Sequence, residues 1–197
     1  MDTRTGKGRK YMLERATPLF ARLGYNGVSM RDLARVVGVT PAALYYHFKN
    51  KDELYIAAIS RVFDNKINEA RTIIASHPEP VKQLEMFIDW FVRCLKKDSD
   101  FRKFLQWFLL DGDEKRLRMI KRSTFKELFN TVGQLGESFK QQYDPRLFTV
   151  SLIGLVLYHS ENGLAGTGWS INEPGTDEAG KISRHIASLL EHGLTGQ

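Results

Sequence analysis

The residues best suited to chemistry in this chain lie between Ser29 and Lys51. Arg31 supplies a planar cation, Thr40 a hydroxyl, and Tyr45 and Tyr46 two adjacent phenols. Side chains of these types hold phosphate oxygens and touch base edges; they are not a set that breaks bonds. Motifs for catalysis are missing from the sequence: there is no H-E-x-x-H, C-x-x-C or G-x-S-x-G. The glycine-rich run from Gly163 to Gly168 has the wrong spacing for a dinucleotide loop and follows no strand. Asp111-Gly112-Asp113-Glu114 is too short for a calcium loop and reads as a turn with a helix cap. His77, His185 and His192 are scattered, so neither a metal nor a cofactor is expected, and the chain is not expected to be an enzyme.

The elements that must position these residues are legible from capping chemistry. Ser29 followed by Asp32 is a capping-box start, and Gly38 stops a short helix over 30–37. Thr40 before Pro41 is an N-cap followed by proline at the first helical position, opening a second short helix to about Phe48. Two short helices joined by Gly38-Val39-Thr40 have the proportions of a helix-turn-helix, whose second helix fits the DNA major groove. Leu33, Ala34, Val37, Val39 and Leu44 supply its internal core. Thr40, Ala42, Tyr45 and Tyr46 are left for the outer face, with Arg31 at the front of the first helix.

Charge points the same way. Residues 1–50 hold nine Lys+Arg and three Asp+Glu, a net of +6, and the other 147 residues balance at 20 of each sign. A surplus confined to one segment is an electrostatic footprint for phosphate, although a merely solvated basic head carries the same charge. Cys94 is the only cysteine, which excludes a disulfide scaffold and suits a reducing compartment. No secretory signal is visible, and the most apolar run, Leu152 to Tyr158, is far short of a bilayer span; the cytoplasm is the expected location.

The rest reads as helix. Leu13, Ala16, Phe20 and Leu23 form one stripe before Gly24, with Pro18 inside the run as an expected kink. Asn50 with Glu53 opens a long helix to about Ala75, and His77-Pro78-Glu79-Pro80 breaks the chain. Further helices are expected over 80–97, 99–110, 114–141, 146–165 and 176–193, with a loop over 163–175. The fold class is all-α, about nine helices, divided into a head at 1–52 and a helical body at 53–197.

The run from Gly24-Tyr25 through Val28-Ser29-Met30-Arg31-Asp32-Leu33-Ala34 and Gly38-Val39-Thr40-Pro41-Ala42-Ala43-Leu44-Tyr45-Tyr46-His47-Phe48-Lys49-Asn50-Lys51-Asp52-Glu53-Leu54 resembles the TetR family of transcriptional regulators. The similarity is dense over about residues 8–56 and elsewhere extends only to length and helical pattern. It implies a sequence-specific regulator, a repressor released from palindromic operator DNA by a small apolar or aromatic effector. It implies that Arg31, Thr40, Pro41, Ala42 and Tyr45 reach DNA, that His47 and Lys51 hold phosphates, and that Ser29 and Met30 aim a helix N-terminus at the backbone. It also implies a ligand-binding body and a homodimer through the two C-terminal helices, carried here by 147–164 with Ile182, Ile186, Leu189 and Leu190. Candidate ligand residues are Phe87, Phe91, Cys94, Phe104, Trp107, Phe108, Phe125 and Phe129, with His159 by family analogy. None of Thr40, Pro41, Ala42 and Tyr46 makes the bidentate base contacts of Arg, Asn or Gln, so specificity would rest on Arg31, Tyr46, methyl contacts and DNA shape. The competing reading is a helical binding or scaffold protein without specific DNA recognition.

Overall fold

Local chemistry sets the first three helices. In the computed structural model α1 spans Arg9–Leu23, α2 Met30–Val37 and α3 Pro41–His47. Ser29 Oγ accepts from the Asp32 N–H and the Asp32 carboxylate accepts from the Ser29 N–H, closing the capping box on α2. Gly38 ends α2 in the left-handed region at φ 74°. Its N–H reaches Arg35 O and the Val39 N–H reaches Ala34 O, the paired bonds of a Schellman cap. Thr40 Oγ1 accepts from the Ala43 N–H at the start of α3.

The structure describes residues 8–110, 113–120, 126–137, 144–162 and 177–195. Within them every regular element is a helix, ten in all: α4 (Lys51–Ala75), α5 (Pro80–Lys97), α6 (Ser99–Leu110), α7 (Glu114–Ile120), α8 (Lys126–Glu137), α9 (Pro145–Asn162) and α10 (Glu178–Thr195) complete the order. The helices expected over 80–97 and 99–110 match α5 and α6. Of the helix expected over 114–141, the described parts are helical, α7 and α8, while 121–125 and 138–141 lie outside the described residues. The loop expected over 163–175 also lies outside them. Pro18 does not break α1. It sits on the solvent face, where water can reach the Glu14 carbonyl that it leaves unpaired.

The chain forms two compact units. The first comprises residues 1–65 and 99–125, the second 66–98 and 126–197. The boundary expected at 52/53 falls at the second residue of α4, and the first unit runs on to Asn65. In the first unit, α1 packs on α2 and α6, and α2 on α3. Phe20, Leu33, Leu44, Phe48, Leu54, Phe63, Phe101 and Phe104 are fully buried there. Burial of one such ring or branched side chain contributes roughly 1.5–3 kcal/mol, enough to hold short helices that would not stand alone. In the second unit, α10 packs on α5 and α9, and α8 and α5 on α9. Its core is Leu84, Phe87, Ile88, Phe91, Leu95, Leu152, Val156 and Ile186. Asp144 caps α9, accepting from the Arg146 and Leu147 N–H groups, and Arg146 beside it holds its carboxyl down at about 2.

Candidate nucleic-acid interface

The head divides its side chains between core and solvent as a reading helix requires. Leu33, Ala34, Val37, Leu44 and Phe48 are buried. Arg31, Thr40, Pro41, Ala42, Tyr45 and Tyr46 are exposed, Tyr45 at 50% and Tyr46 at 86%. A tyrosine that open in an isolated head has its phenol free for a partner. Arg31 has no ion-pair partner among the described residues, so its guanidinium remains available.

The helix starts differ in what they offer. On α2 the Asp32 N–H is taken by Ser29 Oγ, which leaves the Met30 and Arg31 N–H groups for an anion. On α3 proline removes the first donor and Thr40 Oγ1 takes the Ala43 N–H, so Ala42 alone keeps a free N–H. Free main-chain donors thus lie at the start of α2, whereas on α3 the exposed groups are mainly side chains. Met30 is only 9% exposed, because its side chain packs into the head; what it can present is its main-chain N–H. The Ser29 hydroxyl is engaged in the cap. Its hydrogen bonds hold the Asp32 carboxyl below the usual carboxylate range.

His47 is half-buried and its ring meets Tyr46 edge-on at 5.2 Å. Lys51 is half-buried as well, and its ammonium donates to Val28 O at 2.7 Å while lying 4.0 Å from the Tyr25 ring centre. On the same ring sits the Arg116 guanidinium of α7, 4.1 Å from its centre and 8% exposed. The Tyr25 hydroxyl donates to Asp52. Burial first, then the Asp52 carboxylate, pushes that phenol up to about 12. Burial and the Arg116 charge lower the Lys51 ammonium from its ordinary value. Sequence reading placed Lys51 near DNA without finding Tyr25 and Arg116, since no spacing rule links residues 25, 51 and 116. Lys49 is exposed just beyond α3, with its N–H held by the Glu53 carboxylate.

The candidate ligand residues do not form one cluster within either unit. Phe104, Trp107 and Phe108 lie in the first unit. Phe104 stands 6.0 Å from the Tyr55 ring, and Trp107 Nε1 donates to Ala21 O at 2.9 Å. Phe87, Phe91 and Cys94 lie buried in the second unit, Phe87 and Phe91 with ring centres 5.7 Å apart. Burial pushes the Cys94 thiol up to about 11, so it is an inert core group. Phe129 and His159 are half-buried, and Phe125 lies outside the described residues. The second unit has an open groove of about 610 Å³ whose apolar floor is Ile73, Met86, Trp90 and Ala187. Of its lining only Trp90 joins the ring stack, because the candidate rings on α5 face the core.

Residues 12–58 match the family model of bacterial regulatory proteins, tetR family. The biofilm operon icaADBC HTH-type negative transcriptional regulator IcaR of Staphylococcus epidermidis is 25% identical over 126 residues, 61% of this chain and 56% of that protein. The chain therefore spans little more than half of that relative's length. Among solved structures, the transcriptional regulator FadR from Bacillus subtilis in complex with stearoyl-CoA is 17% identical with a TM-score of 0.74, covering 96% of this chain and 100% of that one. AibR in complex with isovaleryl coenzyme A and operator DNA is 19% identical with a TM-score of 0.68, covering 91% and 96%. The helix-turn-helix geometry and the head match coincide: residues 12–58 match the tetR family of bacterial regulatory proteins, and over the whole chain the likeness to the solved structures is one of fold.

Proposed function

We propose that this chain is a sequence-specific DNA-binding regulator whose head enters the major groove with α3. The observation that carries the reading is the division within α2 and α3. The apolar residues close a core, while Arg31, Thr40, Pro41, Ala42, Tyr45 and Tyr46 stand exposed together on a segment that holds the chain's whole excess of positive charge. Arg31 and Tyr46 read the groove, Tyr45 and the α2 N-terminus hold phosphate, and Lys51 with His47 supports the backbone contact. The protein acts by binding rather than catalysis, in the cytoplasm, and none of its described helices is long and apolar enough to cross a membrane.

Two copies pair through α9 and α10. Leu147, Val150 and Tyr158 of α9 and Leu189 of α10 are exposed apolar residues, and a Cβ at Gly154 would meet open space. A two-fold pair of heads reads a palindromic site. A small apolar or aromatic effector in the helical body favours a head spacing that does not fit the site, and it releases the repressor by its differential affinity for the two states. The CoA esters named for the two structural neighbours make acyl thioesters the first effectors to try.

The test is fluorescence anisotropy with DNA from upstream of the chain's own gene, with random competitor, across a salt series. Binding at least ~10³-fold tighter than to random DNA establishes specific recognition. If neither this DNA nor a selection from genomic fragments yields a site that survives competitor, the scaffold reading replaces this one.

A further inference from the structure

We propose that the first unit carries a small-molecule site, separate from the open groove of the second, that takes a compact apolar carboxylate such as an aromatic acid. A cavity of about 220 Å³ lies against the end of α1, α4, α6 and the start of α7. Its volume is below the roughly 300–1,000 Å³ of drug-sized sites, so a single ring or a short branched chain suits it. Leu23, Tyr55, Trp107 and Leu110 give it apolar walls. Trp107 Nε1 is committed to Ala21 O at 2.9 Å, which holds the indole ring in place. Gly24 also lines the cavity, and its missing side chain keeps space beside that ring: a Cβ there would come within 3.0 Å of it.

A single charge belongs to this apolar box. Arg116 is the one charged side chain among the described residues that line it, and it is 8% exposed. A buried guanidinium is costly unless opposite charge meets it. Asp113 Oδ2 lies 3.5 Å from Arg116, and Asp52 accepts from the Tyr25 hydroxyl, but neither carboxylate lines the cavity. A guanidinium carries five donors, more than one carboxylate accepts, and its planar fork matches a second carboxylate. The Tyr25 ring, its centre 4.1 Å from the Arg116 guanidinium carbon, braces the fork. A ligand carboxylate here meets a cation largely out of water, where charge-assisted hydrogen bonds are strong, while its apolar body covers Trp107 and Leu110. A neutral molecule of the same shape gains only the apolar part. Leu110 is 78% exposed, so the cavity has a wall that a ligand can reach from solvent.

The binding needs no DNA, so its failure is distinct from failure of the regulatory reading. Sodium benzoate is titrated into the ¹⁵N-labelled full chain at constant ionic strength, and the indole N–H signals of the three tryptophans are followed by NMR. The Trp107 signal, assigned by its loss in Trp107→Phe, is expected to shift saturably with a Kd of about 1 mM or tighter, while that of Trp90 stays in place. Benzamide, the neutral isostere, binds at least tenfold more weakly, as does benzoate to Arg116→Gln. Leu110→Glu weakens benzoate severalfold and Leu110→Lys does not; this pair, at an exposed position, decides the matter if Arg116→Gln fails to fold. A Trp107 signal that does not saturate, equal affinity for benzamide, or wild-type affinity in Leu110→Glu would overturn the proposal.

Discussion

The Lys51 ammonium donates to the main-chain carbonyl of Val28 at 2.7 Å, tying the first residue of α4 to the segment that enters α2. The bond uses one of three ammonium protons. Lys51→Ala is therefore expected to show two separable effects. Thermal or urea unfolding reports loss of the Val28 bond, about 1 kcal/mol. The salt dependence of DNA binding reports the phosphate contact, with the slope falling by about 1. A change in stability with an unaltered slope would assign Lys51 to the head's architecture alone.

Gly24 is pinned by two independent constraints. Its φ of 68° with ψ of −178° belongs to a region that side chains avoid, and an added Cβ would lie 3.0 Å from the Trp107 ring. Gly24→Ala is expected to destabilise the protein by about 2–3 kcal/mol in urea unfolding. Trp107→Ala in that background removes the steric part and recovers only a fraction of the loss.

Tyr46 and Arg31 project from the head without supporting its core. Tyr46→Ala is expected to leave the unfolding free energy within about 0.5 kcal/mol of wild type. Arg31→Ala is expected to cost about 1–3 kcal/mol against the cognate site and to relax base preference at one position. Binding selections on wild type and Arg31→Ala show whether the preferred sequence changes.

Asp32 closes the capping box in its ionised form, and its carboxyl lies below the usual carboxylate range because Ser29 hydrogen-bonds to it. A group depressed in the folded state contributes stability above its unfolded pKa, near 3.9, and loses it as pH falls through the folded value. Asp32→Ala is accordingly expected to melt lower than wild type at pH 7, with the gap closing below about pH 4. A gap that persists at low pH would mean that the carboxylate charge contributes nothing to the cap.

Phe91 is fully buried in the second unit beside Phe87. Phe91→Ala is expected to cost about 3–5 kcal/mol in urea unfolding. Unchanged stability with an altered effector response would assign Phe91 to the ligand site.

Short-range chemistry wrote the head into the sequence. Ser29 with Asp32, Gly38, and Thr40 with Pro41 each act within about four residues, so their spacing alone set the ends of α2 and α3. The same holds for Asn50, whose side chain caps α4 by accepting from the Glu53 N–H; the Glu53 carboxylate reaches past Asn50 to the Lys49 N–H. The charge imbalance and the exposed face of α3 followed from composition and periodicity. Tertiary structure alone decided the relationships that span the chain. It set Lys51 and Arg116 on the Tyr25 ring, laid Trp107 against Gly24, and brought His159 to His185. It also buried the aromatic stripe of α5 within the second unit. Periodicity reports which face of a helix is apolar, but not which distant helix covers that face; only the packing of the folded chain selects the partner.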